Sequence, residues 1–582
     1  MRAPLGIFAT LLGIGIVAGA CGPADDIGSG TDNATEIPFA EGSPEARAIR
    51  AVANDQQLTV EDYDSSEGVG LHKKAAENLV DYRDGDPNTP EDDNFFDSLA
   101  ELWTVPYCKK SCLISLLDYA KENGLYGGNE NISVIFSPQS GQDTHLQAIA
   151  NTIDAEADET IDIAMYSYSH QEPVKGALIR ALDRGVKIRF LANTDLANSS
   201  SKGGALEEIG IDVRRVTKIM HHKFAIIDGP RDANTLDRAA DTFIISGSGN
   251  WSGSAATKYD ENTLFFTGYA ELALRLQRDF DYLWAGSKDV VHVDGFVWDQ
   301  TTGNISDELI AQHEDPNTHA YLTSFNFAPT SSQGWSVLGT TVVTDELVKA
   351  IGAAQTSLHI ASGHFVNEQI AAAVVAALEN NPNLYVDIAL DCQETSKGGN
   401  IATLKSQIED LGGTIQYKCN TYRWHYKFAK QMHHKYMIID GTDLYTGSLN
   451  FSDNAETNTF ENMLLFKGEE HRALVDSYLA NHEMVRSYGH ENGGQELTWL
   501  MEEVETGTTV PLTWYNPISM DLDTFHDLKD AIRDRCPATK SWLNTPEAKT
   551  YNKWFNQQPQ WFDECHTVGY PWPEVPEDMR VQ

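Results

Sequence analysis

The stretch MHHKFAIIDG occupies residues 220–229, and MHHKYMIIDG occupies residues 432–441. The histidines, the lysine and the aspartate recur, whereas the apolar positions between them vary. A short apolar run bounded by polar residues and a glycine is typical of a buried strand that ends in a turn. The repeat therefore predicts two copies of one structural unit within the chain.

Longer stretches with the same order of elements precede both decapeptides. Residues 159–193 and 356–391 each contain a β-branched apolar run, a helical stretch and a second apolar run, which indicates a β-α-β unit. Further short strands are predicted at 133–138, 211–216, 320–329 and 414–419. We therefore predict two α/β domains, 131–300 and 318–490, each with a mostly parallel sheet flanked by helices.

Strand alternation sorts the residues of each decapeptide onto two faces. His221 and Lys223 share one face in the first copy, and His433 and Lys435 share it in the second. Each copy therefore presents an imidazole and an ammonium group side by side, and we predict that these four residues are catalytic.

The opposite face of each decapeptide carries a second histidine and the aspartate. His222 and His434 are predicted to be core residues or to support the catalytic pair. Asp228 and Asp440 stand at the strand ends, so we expect them to be structural and to hold the turns that follow.

A second shared motif follows each decapeptide. The pattern G-S-x-N occupies 247–250 and 447–450, and Glu261 and Glu461 each lie 11 residues beyond the asparagine. The first copy has 12 extra residues between its decapeptide and this motif, within GPRDANTLDRAADTF (229–243), which is predicted to be a polar hairpin insertion.

These residue types suit the chemistry of a phosphodiester. Lysines and asparagines supply donors for the non-bridging oxygens, while two histidines can divide attack on phosphorus from protonation of the leaving oxygen. A glutamate behind each imidazole, Glu261 or Glu461, would fix its tautomer. No metal or other cofactor is required, and a lysine beside each histidine disfavours a divalent cation. The predicted phosphate-binding residues are Ser248, Asn250, Ser448 and Asn450.

The pattern H-x-K-x4-D followed by G-S-x-N, present twice, resembles the phospholipase D superfamily. The resemblance covers both domains, roughly 350 of the 582 residues. It implies two α/β/α sandwich domains related by a pseudo-twofold axis, with one site at their interface. It also implies a metal-free phosphohistidine intermediate, with His221 as nucleophile and His433 as acid/base. The near symmetry of the copies leaves the reverse assignment open.

The charge of the chain limits its partners. The formal net charge is −42, which repels nucleic acid and anionic lipid at long range, so an anionic substrate requires a local basic patch. Residues 417–436, YKCNTYRWHYKFAKQMHHKY, interleave lysines and one arginine with aromatic residues. Such a segment can stack on bases and bind phosphates, contact a lipid headgroup, or simply cap the domain.

The N-terminus has the features of an export signal. Residues 1–20 combine an early arginine, a short apolar run and small residues before Cys21, a run too short for a bilayer span. Cleavage before Cys21 and lipidation of that cysteine remain alternatives to simple cleavage. Residues 21–55 are acidic and small, and are predicted to be a flexible tether.

Residues 56–130 are predicted to be helical, and part of this region resembles a helix-hairpin-helix module. The turn Gly68-Val69-Gly70 precedes a helix, but Val105-Pro106-Tyr107-Cys108 stands where a second glycine turn belongs. We therefore expect a structural cap rather than a DNA clamp. The acidic loop 84–94 could bind calcium but lacks full EF-hand spacing.

Cysteines and tryptophans characterise the rest of the chain. Six cysteines lie beyond Cys21 in three local pairs, which favours three disulfides in an oxidising compartment, although 15 connectivities exist. A zinc site at the C-x3-C pair 108–112 is a weaker alternative. Residues 491–582 hold six of the 12 tryptophans and are predicted to form an extension that packs on the second domain.

The sequence thus predicts an exported phospholipase D-type hydrolase, extracellular, periplasmic or anchored through Cys21. The expected partner is a phospholipid or a membrane surface, and no obligate protein partner is evident. A metal-independent nuclease, with nucleic acid as substrate, is the main alternative. A non-catalytic binding protein is the third reading, and the absence of further apolar spans disfavours cardiolipin synthesis.

Overall fold

The computed structural model describes 44–56, 58–65, 68–85, 94–96, 98–122, 131–193, 202–290, 301–330, 334–422, 429–490, 493–536 and 564–566, with single positions at 37, 39 and 299. The predicted signal 1–20, Cys21 and most of the tether lie outside these residues. So do most of the acidic loop 84–94 and residues 423–428 of the basic aromatic segment.

Five helices open the described chain: Pro44–Ala53 (α1), Val60–Asp64 (α2), Lys73–Asp84 (α3), Leu99–Leu102 (α4) and Lys110–Glu122 (α5). A tight turn joins α2 to α3, because a Cβ atom at Gly68 would lie 2.1 Å from the Asp62 carbonyl oxygen. Tyr107 has a φ of +66° in the second turn, where the resemblance to helix-hairpin-helix modules calls for glycine. Arg50 of α1 pairs with Asp143, which links this region to the first α/β domain.

The first α/β domain is built on an eight-stranded sheet. Its helices are His145–Glu156 (α6), Val174–Arg184 (α7), Lys202–Glu208 (α8), Gly253–Thr257 (α9) and Ala270–Ala285 (α10). Its strands, with the two-residue β5 outside the main sheet, are Ile132–Ser137 (β1), Thr160–Met165 (β2), Lys187–Ala192 (β3), Asp212–Arg215 (β4), Ile219–Met220 (β5), Lys223–Ile227 (β6), Phe243–Gly247 (β7), Glu261–Phe266 (β8) and Lys288–Asp289 (β9). The strand order is β1-β8-β7-β6-β2-β3-β4-β9.

The second α/β domain repeats this arrangement. Helix Asp307–Ala311 (α11) precedes it, and its own helices are Val342–Ala353 (α12), Glu368–Asn380 (α13), Asn400–Asp410 (α14), Asp453–Asn458 (α15) and Arg472–Arg486 (α16). Its strands are Thr318–Leu322 (β10), Phe327–Pro329 (β11), Trp335–Val337 (β12), Ser357–Ser362 (β13), Tyr385–Asp391 (β14), Thr414–Thr421 (β15), Lys435–Ile439 (β16), Asp443–Gly447 (β17), Thr459–Phe460 (β18) and Asn462–Phe466 (β19). The sheet order is β10-β19-β17-β16-β13-β14-β15, followed by a strand from the C-terminal region.

The prediction of mostly parallel sheets is wrong. In the two eight-stranded sheets, only the β-α-β parts are parallel, namely β2-β3-β4 and β13-β14-β15, and every other adjacent pair is antiparallel. The decapeptide strands β6 and β16 continue into β7 and β17 through hairpins, and a hairpin joins only antiparallel strands. Apolar periodicity identifies a strand but does not give its direction.

The link between β6 and β7 contains the predicted polar insertion 229–243. It forms a long hairpin loop with a short 3-10 turn at Leu236–Arg238. In the second domain, the same link is a turn at Gly441 and Thr442.

A shared core joins the two domains. α6 and α7 cover the outer face of the first sheet, and α12 and α13 cover that of the second. The inner faces pack with α10 and α16 in one continuous apolar cluster that draws residues from both copies, including Phe224, Phe266, Tyr436 and Phe466. The prediction of two related α/β domains with flanking helices is therefore confirmed.

The segment 491–582 was predicted to be an extension that packs on the second domain. Its described part also contributes a strand to the sheet of that domain. It contributes Gln495–Thr506 (α17), Thr509–Pro511 (β20), Thr513–Met520 (β21), Leu522–Arg535 (α18) and Glu564–His566 (β22). β21 pairs antiparallel with β15 and completes the second sheet as its eighth strand. Trp514 is buried and Trp499 is half exposed, whereas the other tryptophans of this segment lie outside the described residues.

The three predicted local disulfides are confirmed as Cys108–Cys112, Cys392–Cys419 and Cys536–Cys565. The zinc alternative at the first pair is therefore wrong, because both of its thiols are bonded to each other. Among the described residues, no helix combines the length and the apolar character needed to cross a membrane.

Two glycines, at the ends of β7 and β17, permit a close approach of backbone segments within each domain. A Cβ atom at Gly447 would lie 2.3 Å from the Asn462 carbonyl oxygen, and one at Gly247 would lie 2.3 Å from that of Asn262. These carbonyls accept hydrogen bonds from Ser448 N and Ser248 N, both at 3.0 Å. The glycine of G-S-x-N is therefore required for packing rather than for chemistry.

Replacing Gly447 with alanine is expected to destabilise the protein by about 1–3 kcal/mol, because the added methyl group overpacks this contact. Gly352→Ala is the matched control: a Cβ atom in α12 meets nothing within 4 Å, and alanine favours a helix by up to about 1 kcal/mol. Urea unfolding followed by tryptophan fluorescence measures both variants. Equal stability of G447A and the parent chain would contradict the packing described.

Candidate active site

The backbone of each decapeptide histidine is held by the opposite domain. β5 pairs with β18, and His221 N donates to Phe460 O at 3.0 Å. In the second copy, His433 N donates to Asp260 O at 3.0 Å beside the bridge between Asp260 and Met432. Both contacts cross the domain interface in the same way, as twofold symmetry requires.

The residue after each of these acceptor carbonyls is the glutamate, and its carboxylate binds the imidazole of the same histidine. His221 Nδ1 lies 2.9 Å from Oε2 and 2.8 Å from Oε1 of Glu461. His433 Nδ1 lies 2.8 Å from Oε1 of Glu261. The predicted glutamate thus stands behind each imidazole, but the opposite copy supplies it. With Nδ1 occupied, Nε2 is the ring nitrogen that remains for the cleft.

Hydroxyl groups support the glutamates from behind. Ser448 Oγ donates to Glu461 Oε2 at 2.7 Å, and Thr459 Oγ1 donates to Oε1 at 2.8 Å. In the first copy, Ser248 also hydrogen-bonds the Glu261 carboxylate. Both serines are fully buried, so the structure places these two predicted phosphate ligands behind the glutamates rather than in the cleft.

The asparagines of the same motifs reach the cleft. Asn250 and Asn450 line it together with His221 and His433, and their amides are therefore available to a bound anion. The structure brings the two halves of the predicted site together in one cavity between the domains.

The lysines lie beneath the histidines. Lys223 Nζ donates to His221 O and Lys435 Nζ donates to His433 O, each at 2.5 Å. Burial lowers the pKa of Lys223 to about 7 and that of Lys435 to about 8, against the attraction of the two glutamates. The Lys223 ammonium also lies 5.1 Å from the centroid of the Tyr166 ring.

Burial and positive neighbours keep the imidazoles neutral. Burial, Lys223 and Lys435 hold the pKa of His221 well below its usual range. Burial lowers the pKa of His433 to about 4, although Glu261 opposes the change. The pKa of Glu261 is lowered, because the His433 contact and Lys435 outweigh the opposing effect of burial.

The carboxylate in the second copy differs from its counterpart. Burial raises the pKa of Glu461 to about 7, although Lys223 and hydrogen bonds from Ser448 and Thr459 act in the opposite direction. The two halves of the cleft are therefore similar in geometry and different in charge balance.

The aspartates of the motif lie away from the cleft. Asp228 accepts backbone hydrogen bonds from residues 158–160, and Asp440 accepts them from residues 355–357, at 2.7–3.1 Å. Both residues have positive φ, +49° and +53°, at the turns after β6 and β16. Their carboxylates connect the decapeptide turn to the start of β2 or β13.

The second histidine of each decapeptide makes a reciprocal contact across the interface. Asn462 Nδ2 donates to His222 Nδ1 at 3.1 Å, and Asn262 Nδ2 donates to His434 Nδ1 at 3.3 Å. Both histidines are fully buried. The asparagine that follows each glutamate therefore has a positioning role that the sequence reasoning did not assign.

Three further residues of the cleft belong to neither sequence motif and were not predicted. The Tyr166 ring centroid lies 4.4 Å from that of His221, and the Tyr259 centroid lies 6.2 Å from that of His433. His364 lines the same cleft and contacts Glu394 through Nδ1 at 3.1 Å. Tyr166 and His364 follow β2 and β13, and their position at the carboxyl ends of parallel strands was the available signal.

The basic aromatic segment is partly structural. Lys418 is buried and forms an ion pair with Asp260, whose carbonyl holds His433. Tyr417 and Tyr422 are also buried, whereas Lys430 is only partly covered. Lys418 therefore supports the histidine rather than a substrate.

Comparison with known proteins identifies both domains. The family model described as "Cardiolipin synthase, PLD-like domain" matches residues 149–284 and 347–482. Mitochondrial cardiolipin hydrolase from Danio rerio is 32% identical over 132 residues, which cover 22% of this chain and 52% of that protein. Phospholipase D from Rickettsia conorii is 31% identical over 161 residues, which cover 27% of this chain and 71% of that protein. The chain thus spans about half the length of the cardiolipin hydrolase it matches.

Solved structures give weaker matches. The phosphatidylserine synthase of Haemophilus influenzae has a TM-score of 0.41 at 14% identity, covering 62% of this chain and 86% of that chain. Nuc, a phospholipase D family member from Salmonella typhimurium, has a TM-score of 0.23 at 21% identity, covering 29% and 93%.

Replacing Glu461 with glutamine is expected to lower kcat by about 10²–10⁴-fold, because an amide cannot hold the His221 tautomer or stabilise its imidazolium. Glu261→Gln is expected to act similarly through His433. Glu502→Gln, at an exposed position of α17, is the control. Steady-state kinetics on a soluble chromogenic phosphodiester measures the three variants, and an E461Q chain with parental kcat would contradict the exchanged contact.

The buried lysines predict an alkaline loss of activity. Lys223 and Lys435 lose their protons as pH rises through about 7 and about 8, which removes the positive charge that attracts an anionic substrate. Because both charges attract the substrate, we expect kcat/KM to fall about tenfold per pH unit between pH 7 and pH 8 and about a hundredfold per unit above pH 8. A pH profile at constant ionic strength tests this expectation, and a plateau that continues to about pH 9 would contradict it.

Proposed function

Because the chain belongs to the phospholipase D family, we propose that it is a phosphodiesterase that hydrolyses a phospholipid headgroup ester through a covalent phosphohistidine. One observation carries the proposal: two histidines, each backed by a glutamate from the opposite domain, line one cleft. This arrangement supplies a nucleophile and a proton donor to the same phosphorus atom.

The first half of the reaction forms the covalent intermediate. Neutral His221 attacks phosphorus through Nε2, and the bond from phosphorus to the headgroup oxygen breaks. His433 gives its Nε2 proton to that oxygen, so the headgroup leaves as an alcohol. The negative phosphate and Glu261 favour the protonated form of His433 in the complex, which the free protein disfavours.

The second half restores the enzyme. His433, now neutral, takes a proton from water while the water oxygen attacks phosphorus. The bond between phosphorus and His221 Nε2 breaks, which releases the phosphatidate product. Glu461 holds the proton on His221 Nδ1 throughout, so Nε2 is again free to attack.

The donors around the cleft complete the proposed site. Asn250 and Asn450 can donate to the non-bridging phosphate oxygens, and Lys223 and Lys435 add positive charge beneath them. A substrate anion would in turn raise the pKa of both lysines and keep them charged.

Charge favours phospholipid over nucleic acid. With a net charge of −42, the chain as a whole repels a polyanion at long range, whereas a single headgroup phosphate needs only the local lysines. Relatives named cardiolipin hydrolase and phospholipase D support a lipid substrate. A metal-independent endonuclease is the second candidate, favoured by the turn at Gly68-Val69-Gly70 and its resemblance to a helix-hairpin-helix module.

The substrate test uses vesicles of phosphatidylcholine, vesicles containing cardiolipin, and single-stranded DNA, each with EDTA present. His221→Ala and His433→Ala are expected to lower headgroup release by at least about 10³-fold, because each removes a group that bonds to the reacting atoms. His526→Ala, at an exposed position of α18, is the matched control. DNA cleavage without headgroup release would replace the lipid assignment, and full activity of both histidine variants would indicate a non-catalytic protein.

A further inference from the structure

Outside the cleft, equivalent positions of the two domains carry different polar clusters. The third residue of β2 is Asp162, which lies opposite Arg189 of β3 in the strand register. The third residue of β13 is His359, which lies opposite Asp387 of β14. Both pairs face the inner helix of their own domain, α10 or α16.

The first domain balances its cluster with arginine. Arg189 contacts Asp162 through two hydrogen bonds, at 2.7 and 2.5 Å, and reaches Asp281 of α10 at 3.1 Å. Arg231 lies 3.7 Å from Asp162 and adds a second cation. Two guanidinium groups thus offset two buried carboxylates.

The second domain places a different set at the same position. A ligand atom of each of His359, Asp387 and His482 lies within 4.8 Å of the others. His482 extends from α16, and its Nε2 lies 3.2 Å from Asp387 Oδ2. Thr414 Oγ1 donates to the other carboxylate oxygen at 2.5 Å, which orients the carboxylate.

Two imidazole nitrogens of this cluster have no hydrogen-bond partner within the described part of the chain. They are Nδ1 of His359 and Nδ1 of His482, and both atoms are buried. His482 and Asp387 are almost fully buried, at 2% and 1% side-chain exposure. Buried polar atoms of native proteins are nearly always bonded, so the free Nδ1 of His359 in this cluster, beside the contact between His482 Nε2 and Asp387, is a candidate metal ligand.

We propose that His359, Asp387 and His482 form a binding site for a divalent transition-metal ion, with zinc the best match to two imidazoles and a carboxylate. Ligands at about 2.0–2.1 Å in a tetrahedral site lie about 3.3 Å apart, close to the 3.2 Å between His482 Nε2 and Asp387 Oδ2. The ion would replace that hydrogen bond with little movement. It would also supply the positive charge that Arg189 supplies in the first domain.

Arg486 competes with a metal ion for the Asp387 carboxylate. Its Nε lies 2.8 Å from Asp387 Oδ2, but the side chain is 29% exposed and also reaches Glu483 at 3.1 Å. The guanidinium can therefore remain with Glu483 when a metal ion binds the carboxylate. Removing Arg486 should strengthen metal binding, which a purely structural ion pair does not predict.

The site is separate from the proposed chemistry and would act on it only through the fold. His359 lies opposite Ile438 on β16, three residues from Lys435, or about 10 Å along the strand. A metal ion there would fasten α16 to the second sheet. Tyr478 of the same helix donates to Asn262 at 3.0 Å, next to Glu261.

The test is zinc binding to the full chain after dialysis against EDTA and removal of the chelator. Calorimetry and metal analysis are expected to give one zinc per chain, and cobalt is expected to give the intense visible absorption of a low-symmetry, near-tetrahedral site. His359→Asn and His482→Asn should each weaken binding at least about tenfold, while Arg486→Gln should strengthen it. His526→Asn is the matched histidine control.

The melting temperatures of the variants separate zinc binding at this site from binding in the cleft. Zinc should raise the melting temperature of the parent chain and of H433A, but not of H359N. His359 is partly exposed, so H359N is expected to fold even if H482N, at a buried position, does not. H359N then tests the site alone. Absence of zinc binding, equal binding by H359N, or loss of binding in H433A would overturn the proposal, and none of these results depends on the substrate of the cleft.

Discussion

Exchange of glutamates between the domains is the constraint on which the rest of the structure depends. Glu461 of the second domain holds His221 of the first, and Glu261 of the first holds His433 of the second. The backbone makes the same exchange. The N–H of each histidine donates to the carbonyl of the residue that precedes the glutamate in the opposite domain. Neither His221 nor His433 is paired with the glutamate of its own domain. The shared apolar core must therefore form before either imidazole is oriented.

This exchange also explains why a strongly acidic chain buries two lysines at one place. Burial of Lys223 or Lys435 disfavours the ammonium form, and the two glutamates, with Asp391 in the case of Lys435, offset that effect in the free protein. A bound phosphate would complete the charge balance. The cleft is thus arranged for an anion that the remaining surface repels, which confines attraction to the position between the histidines.

Much of this arrangement could be predicted from the sequence. Strand parity predicted His221 and Lys223 on one face and His222 and Asp228 on the other. The strand β6 begins only at Lys223, so both histidines precede it. The duplication predicted two similar domains. It could not say which copy supplies each glutamate, because equal spacing within both copies is compatible with pairing inside a domain or across the interface.

Other features depend on contacts that are distant in sequence. Ser248 and Ser448 belong to the motif that reaches the cleft, yet the close turn at the preceding glycine directs their hydroxyls to the glutamates. The prediction of strand direction was wrong for a similar reason. Direction depends on the length of the connections between strands rather than on apolar periodicity. Tyr166 and His364 belong to no recognisable motif. Only their position just after the strands β2 and β13 indicates that they line the cleft.

The central claim is that two copies build one site, and oxyanion stoichiometry tests it most directly. Orthovanadate mimics the five-coordinate phosphorus of the transition state, and calorimetric titration counts its binding sites. The account predicts one vanadate per chain and no binding when either His221 or His433 is replaced by alanine. Two vanadate ions per chain, or one ion retained in each single variant, would show that the copies act independently and would contradict the account.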